Sequence, residues 1–288
     1  MIAHVAEAGE GRGRVVLHLT QGKVSPFALE AAIRVARAFQ SELESLYVED
    51  AKLLDIAGFP FAREISLSGR QSRQLSPEIV ERQMRAAAAA LLRKVRELAQ
   101  AADVPLQSTV VRNEPMAALA EACSSRGPWN VVALAEPLSP ADGSLLRRLF
   151  ASVPGTTGLI VVGPTAKRAT GRVVGVVEDI DYFEAVLRTA RRLFEASDGA
   201  RFTLLLVAES NAEAELMDEQ ARLVIGEDET IEIVRARVQA NSPAMVAELI
   251  RKLDAGFIVG RFGGIVVPSE GDMRPLAGVL ECPMFLIR

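Results

Sequence analysis

The sequence predicts a tandem α/β protein: two halves, each a parallel sheet with helices on both faces. Three observations carry that reading. Short runs that are apolar at nearly every position alternate with stretches of helical periodicity, as strands buried on both faces of a sheet require. Five such runs recur in the same order in the two halves. Between them lies PTAKRAT (164–170), polar, opened by Pro164 and followed by Gly171, which reads as a linker. The expected units are therefore 14–163 and 171–288. At 288 residues, 49% apolar and 24% charged, the chain can bury a core in each.

In the first half, Val15–Thr20 is the opening strand. Ser25 is expected to cap the next helix, with Pro26 at its first position. Through Pro26–Gln40 Ala, Ile and Val recur every three to four residues, which marks that helix. Leu43–Val48, Gln107–Arg112, Val131–Ala135 and Leu159–Val162 are the remaining strands, and Glu78–Ala102, rich in Ala, Leu, Arg and Glu, is a long helix. The second half echoes this plan. VVGVVEDIDYFEAVL (Val173–Leu187) answers VVLHLTQGKVSPFAL (Val15–Leu29), and RFTLLLVAES answers ELESLYVED. VQANSPAMVAEL answers VVRNEPMAALAEA, each with Asn two residues before Pro. GFIVGRFGG then answers NVVALAEP, and CPMFLIR answers TGLIVVG. Asn113 and Asn241 end equivalent strands and suit turns or caps. One stretch has no counterpart: about 50–78, roughly thirty residues by the offset of the two halves, in which Phe59, Pro60 and Phe61 interrupt any helix. It reads as a surface flap, as a lid over the first half, or as a face for a protein partner built on Phe59 and Phe61.

Composition excludes several classes. A net charge of −4 leaves no chain-wide footprint for nucleic acid or an anionic membrane, and no apolar run reaches a transmembrane length. MIAHVAEAGEGRGR lacks the apolar core of an export signal. Cys123 and Cys282, far apart in apolar surroundings, read as buried free thiols in a reducing compartment, so a cytoplasmic location is expected. His4 and His18 are the only histidines, one near the terminus and one inside a strand as a satisfied core group, which leaves little room for histidine-based catalysis or a zinc site. Trp129, after Gly127-Pro128, reads as half-buried packing, and Arg147-Arg148 and Lys167-Arg168 as solvated pairs.

VVLHLTQGKVSPFALEAAIRVARAFQSELESLYVED resembles the first strand, helix and second strand of the universal stress protein family, and the resemblance extends over both halves. It implies a five-stranded parallel sheet in Rossmann-like order in each half. It also implies pairing through the last strands, here Leu159–Val162 against Met284–Ile287 within one chain, an intramolecular pseudo-dimer. Nucleotide-binding members of the family carry Asp at the end of the first strand. After the fourth strand they carry Gly, two residues, Gly, nine residues, then Gly-Ser or Gly-Thr. Glycines let backbone amides approach phosphate oxygens, and the site lies where strand order reverses.

Against this pattern the first half is degraded. Thr20 stands in place of the Asp, Ala151-Ser152 in place of Gly-Ser, and the counted glycine positions hold Leu138 and Ala141. The loop around SPADGSLLRRLF carries Pro137, Pro140, Glu136 and Asp142, with Gly143-Ser144 the one remnant that could make an anion nest. The second half keeps more. Glu178 takes the Asp position and is placed at a ribose. Gly260 and Gly263 have the family spacing, Gly264 follows, and Gly271 comes early and precedes Asp272, which repels phosphate. Glu178, Asp179 and Asp181 cluster at one strand end and read either as a Mg²⁺ site or as a solvated turn with Asp181 capping the next helix. Taken together, the sequence predicts a non-enzymatic stress-response or regulatory binding protein without a required cofactor. The alternative is an ATP or AMP sensor using Glu178, Gly260, Gly263, Gly264 and Gly271. A hydrolase or transferase on the same scaffold would need a nucleophile that the sequence does not present.

Overall fold

The computed structural model describes residues 13–66, 68–125, 129–139, 143–153, 155–197, 200–237, 243–269 and 274–288. In chain order the elements are β1 (Arg14–Leu19), α1 (Pro26–Ala38), β2 (Glu42–Asp50), α2 (Ala51–Ala57), β3 (Arg63–Ile65), β4 (Ser72–Gln74), α3 (Pro77–Ala101), β5 (Leu106–Asn113), α4 (Pro115–Ser125), β6 (Asn130–Leu134), α5 (Gly143–Ser152) and β7 (Thr156–Val161). The chain continues through β8 (Arg172–Val177), a 3-10 turn (Ile180–Tyr182), α6 (Phe183–Glu195), β9 (Phe202–Ala208), α7 (Asn211–Ile225), β10 (Ile231–Arg237), α8 (Pro243–Lys252), β11 (Ala255–Arg261), α9 (Arg274–Val279) and β12 (Met284–Ile287).

Ten strands form one sheet in the order β10-β9-β8-β11-β12-β7-β6-β1-β2-β5. Read outward from the β12–β7 junction, both sides have the same order: last strand, fourth, first, second, third. Every pairing on either side is parallel, and only the junction is antiparallel. There Met284 faces Val161, Phe285 Ile160, Leu286 Leu159 and Ile287 Gly158, so the last strands pair as the sequence predicts. Gly158 is needed at this point because a Cβ would overlap the Phe285 ring.

Alternation along the strands distributes the core between the two faces. Val15, Leu17 and Leu19 of β1 pack with α1, α3, α6 and α7 in one apolar layer, whereas Val16 packs with α4, α5, α8 and α9 in the other. Both layers take residues from both halves, so each apolar layer runs continuously across the junction. In the first layer Phe39 meets Trp129 and Phe285 edge-on at 6.4 and 6.2 Å. At the entry of the first half, Arg14 forms a buried ion pair with Glu44 and donates to Asn130 Oδ1 at 2.8 Å. With the Ala122 carbonyl as a third acceptor, one carboxylate and two further oxygens satisfy that guanidinium, as burial demands.

Three local expectations need correction. Ser25 has the extended backbone of an N-cap but makes no side-chain cap bond; its amide donates to Ala135 O at 2.8 Å, tying the loop to the fourth strand. Asp181 is not the cap after β8: Asp179 Oδ1 accepts from the Asp181 amide at 3.0 Å. The segment 50–78 contains α2, capped by Asp50 through the Lys52 amide, and then the β3–β4 hairpin, which hydrophobic periodicity does not reveal. Gly271, Asp272, Ala141, Asp142, Asn241 and His4 lie outside the described residues.

Candidate functional site

In a parallel sheet, crevices open at the carboxyl ends of neighbouring strands whose connections run in opposite directions. The chain has two such points, between β1 and β6 and between β8 and β11. Each is bridged by a carboxylate of the protein itself.

In the second half the bridge is Glu178, the residue after β8. Its Oε2 accepts from the Ile265 amide at 3.0 Å and its Oε1 from the Val266 amide at 2.7 Å. The loop after β11 turns back to meet it. Phe262 N donates to Ile287 O at 2.9 Å and Gly263 N to Val267 O at 2.7 Å, with Gly263 at φ +88°. That backbone angle favours glycine, and Gly264 is required for a second reason: a Cβ there would overlap the Glu178 carboxylate. Val266 and Val267 are buried in the layer with α8 and α9, and the Phe262 ring packs on Phe150 of α5 at 4.6 Å. The loop is thus held from below by the core, from the side by the first half, and from the sheet by Glu178.

The charges agree with this geometry. Burial raises the Glu178 pKa above the ordinary carboxyl value of 4.5, while the amides of Val266 and Ile265 and the Arg261 cation pull it back down. Arg261 pairs with Asp179 at 2.7 Å and lies over the Tyr182 ring at 3.7 Å. Of the three carboxylates in sequence around 178, one therefore binds amides and one binds Arg261. Among the described residues no group of three or more His, Cys, Asp or Glu side chains is placed to hold a metal ion.

The sequence-predicted residues Glu178, Gly260, Gly263 and Gly264 thus come together at one strand end, and among the described residues nothing lies within 4 Å of where a Cβ of Gly260 would stand. The carboxylate faces the loop amides, a relationship that no spacing in the sequence signals. It depends on the turn made by Gly263 and on the Gly263–Val267 bond.

In the first half the bridge runs the other way. Glu136, two residues beyond β6, lies against Gly22, where a Cβ would overlap its carboxylate. Thr20 Oγ1 accepts from the Gly22 amide at 3.1 Å. His18 is half-buried in β1 with its Nε2 closed off from solvent, and desolvation lowers its pKa to about 4. Its Nε2 meets no hydrogen-bond partner among the described residues, contrary to the expectation of a satisfied group. Asn113 accepts from the Glu114 amide at 2.7 Å, and the Glu114 carboxylate accepts from the Ala117 amide at 3.0 Å, which together cap α4. Cys123 and Cys282 are free and buried, with thiols pushed up to about 11 and about 12 by desolvation.

The sequence matches no model of a protein family and no curated protein sequence. The structure is similar over 96% of this chain to a protein of Pseudomonas aeruginosa UCBPP-PA14 assigned to the universal stress proteins. That likeness has a TM-score of 0.58, covers 93% of that chain, and stands at 16% identity. A universal stress protein of Archaeoglobus fulgidus DSM 4304 matches with TM-score 0.58 and 15% identity, over 95% of this chain and 96% of that one. The chain has the fold of the universal stress proteins. The cytoplasmic domain of a prokaryotic cation chloride cotransporter shares this universal stress protein-like fold, at TM-score 0.58 and 14% identity, over 96% of this chain and 95% of that one. Identities this low carry the fold and leave the activity to the site itself. No helix among the described residues is long and apolar enough to cross a membrane.

Proposed function

We propose that the chain is a non-catalytic regulatory binding protein made of two universal-stress-type domains, 14–163 and 171–288, joined by the linker 164–170, in which neither crevice is used for a nucleotide. The observation that carries this reading is the Glu178 carboxylate on the Ile265 and Val266 amides. Loop amides at a strand end are the groups a phosphate would use, and here an internal anion takes two of them. A phosphate entering beside a charged Glu178 would meet like-charge repulsion and would have to displace two hydrogen bonds. The first crevice has Glu136 in the corresponding gap and lacks the glycines. The absence of catalysis is supported by the state of the candidate nucleophiles, since both thiols are buried and shifted well above neutral pH.

The second reading, an ATP or AMP sensor in 171–288, draws on the room that the described residues leave beside Gly260 and the positive φ of Gly263. It requires Glu178 to swing off the loop as the nucleotide enters. Mass spectrometry of the purified full-length protein under native conditions separates the two. The regulatory reading predicts the mass of the bare chain. A co-purified nucleotide that disappears in Gly263→Val would establish the sensor instead.

A further inference from the structure

The two outermost helices of the sheet carry opposite charge. β5 and β10 are the edge strands, and α3 and α7 pack beside them on the same face, in the apolar layer that also takes in α1 and α6. Each of the two helices leads into the edge strand of its own half. Over 77–113, from α3 through β5, the sequence has six Lys and Arg against four Asp and Glu. Over 211–237, from α7 through β10, it has three Arg against eight Asp and Glu.

Pairing within the chain sharpens the contrast. On α3, Glu81 is held by Arg85 at 2.9 Å and Arg112 at 2.8 Å, and Glu78 accepts from the Ser76 hydroxyl. Arg82, Arg93, Lys94 and Arg96 are exposed and have no ion-pair partner among the described residues, against Glu97 on the helix and Asp103 beyond it. Arg82, Arg93 and Arg96 lie eleven and three residues apart, which sets them along one side of the helix. On the opposite edge, Asp218 is taken by Arg222 and Arg235, Glu213 by the Glu209 amide, Asp228 by Arg191 and Glu232 by Arg172. Glu215, Glu219, Glu227 and Glu229 stay exposed, again with no ion-pair partner among the described residues. Beside the first two stand Leu216 and Leu223, 53% and 83% exposed.

We propose that copies of the chain associate head to tail, the α3 side of one on the α7 side of the next. Charge complementarity selects this occupant, because each copy carries one basic and one acidic outer helix and so offers what the next one matches. Two α3 sides, or two α7 sides, would meet with like charge, which disfavours a symmetric pair. A contact between unlike sides is heterologous: it leaves one side free at each end and propagates until its rotation closes a ring. It also covers Leu216 and Leu223, which the chain itself leaves in solvent.

Sedimentation velocity of the full-length protein from micromolar to millimolar concentration tests the proposal. At low salt the mass is expected to exceed that of one chain and to grow with concentration, and at high salt to return to one chain as the charges are screened. Arg93→Glu with Arg96→Glu reverses the α3 side, and Glu215→Lys with Glu219→Lys reverses the α7 side. Each variant alone is expected to be monomeric. An equimolar mixture of the two restores one matched contact, α7 of the first on α3 of the second, and is expected to give a one-to-one dimer that grows no further. A variant that had merely failed to fold could not form that dimer. A wild type that stays monomeric at low salt, a variant that assembles like the wild type, or a mixture that stays monomeric would overturn the proposal. So would a monomeric wild type that heparin retains through Arg93 and Arg96, because α3 would then face a polyanion and not a second copy.

Discussion

Arg34 and Arg192 stand at the same position of the two halves, each fourteen residues beyond the residue that follows its first strand, Thr20 and Glu178. Each lays its guanidinium over an aromatic ring of the opposite half: Arg34 over Phe257 at 5.1 Å and Arg192 over Phe39 at 5.3 Å. Arg34 also donates to Ala169 O at 2.7 Å, and burial lowers its pKa to about 10. Two helices at equivalent places thus cross the junction and hold the halves in one orientation. Arg34→Ala removes a ring contact and leaves a linker carbonyl without its donor, for an expected loss of about 1–2 kcal/mol. Urea unfolding measures it, and an unchanged midpoint would mean the contact contributes nothing.

The β7–β12 junction gives a sharper test of how the halves are joined. Phe285 covers Gly158, so Gly158→Val drives a branched side chain into an aromatic ring inside a packed core. Overpacking of this kind costs about 1–3 kcal/mol or more. The expected result is a lower melting temperature together with faster proteolysis at the linker 164–170. A variant as stable as the parent would contradict the pairing.

This junction was legible, but only through the resemblance to the universal stress protein family, which implied the pairing of Leu159–Val162 with Met284–Ile287. The β3–β4 hairpin was not. Its strands, Arg63–Ile65 and Ser72–Gln74, are three residues each and wholly exposed, so no alternation of apolar and polar residues marks them. The candidate site was half legible. Glu178, Gly260, Gly263 and Gly264 could be picked out by position, but the partner of Glu178 could not. Which group meets that carboxylate is decided by the backbone turn at Gly263, and two main-chain amides leave no trace in residue types.

The pKa of Glu178 makes a pH prediction. Its folded-state pKa is raised above 4.5, so above that pH the folded protein holds a proton that the unfolded chain releases. The contribution of Glu178 to stability is therefore fully present below pH 4.5. It is lost as pH rises through the window up to the raised folded value. The stability of the wild type relative to Glu178→Gln should accordingly fall across that window and then level off at neutral pH. Denaturant titrations of both proteins from acidic to neutral pH provide the comparison. A relative stability that rises with pH would reverse the assignment.

Cys123 and Cys282 should be inert in the folded protein. With thiols at about 11 and about 12, thiolate is scarce at neutral pH and solvent access is closed. Reaction with a chromogenic disulfide is expected to be slow in buffer and complete for two thiols in denaturant. Rapid labelling of either thiol in the native protein would show that its surroundings open readily.

The central claim is that the crevice between β8 and β11 is filled by the protein's own carboxylate. Titration calorimetry of magnesium ATP into the full-length wild-type protein at neutral pH tests it most directly. No binding heat is expected up to millimolar nucleotide, because Glu178 already holds the Ile265 and Val266 amides. Micromolar binding that Gly263→Val abolishes would contradict the account.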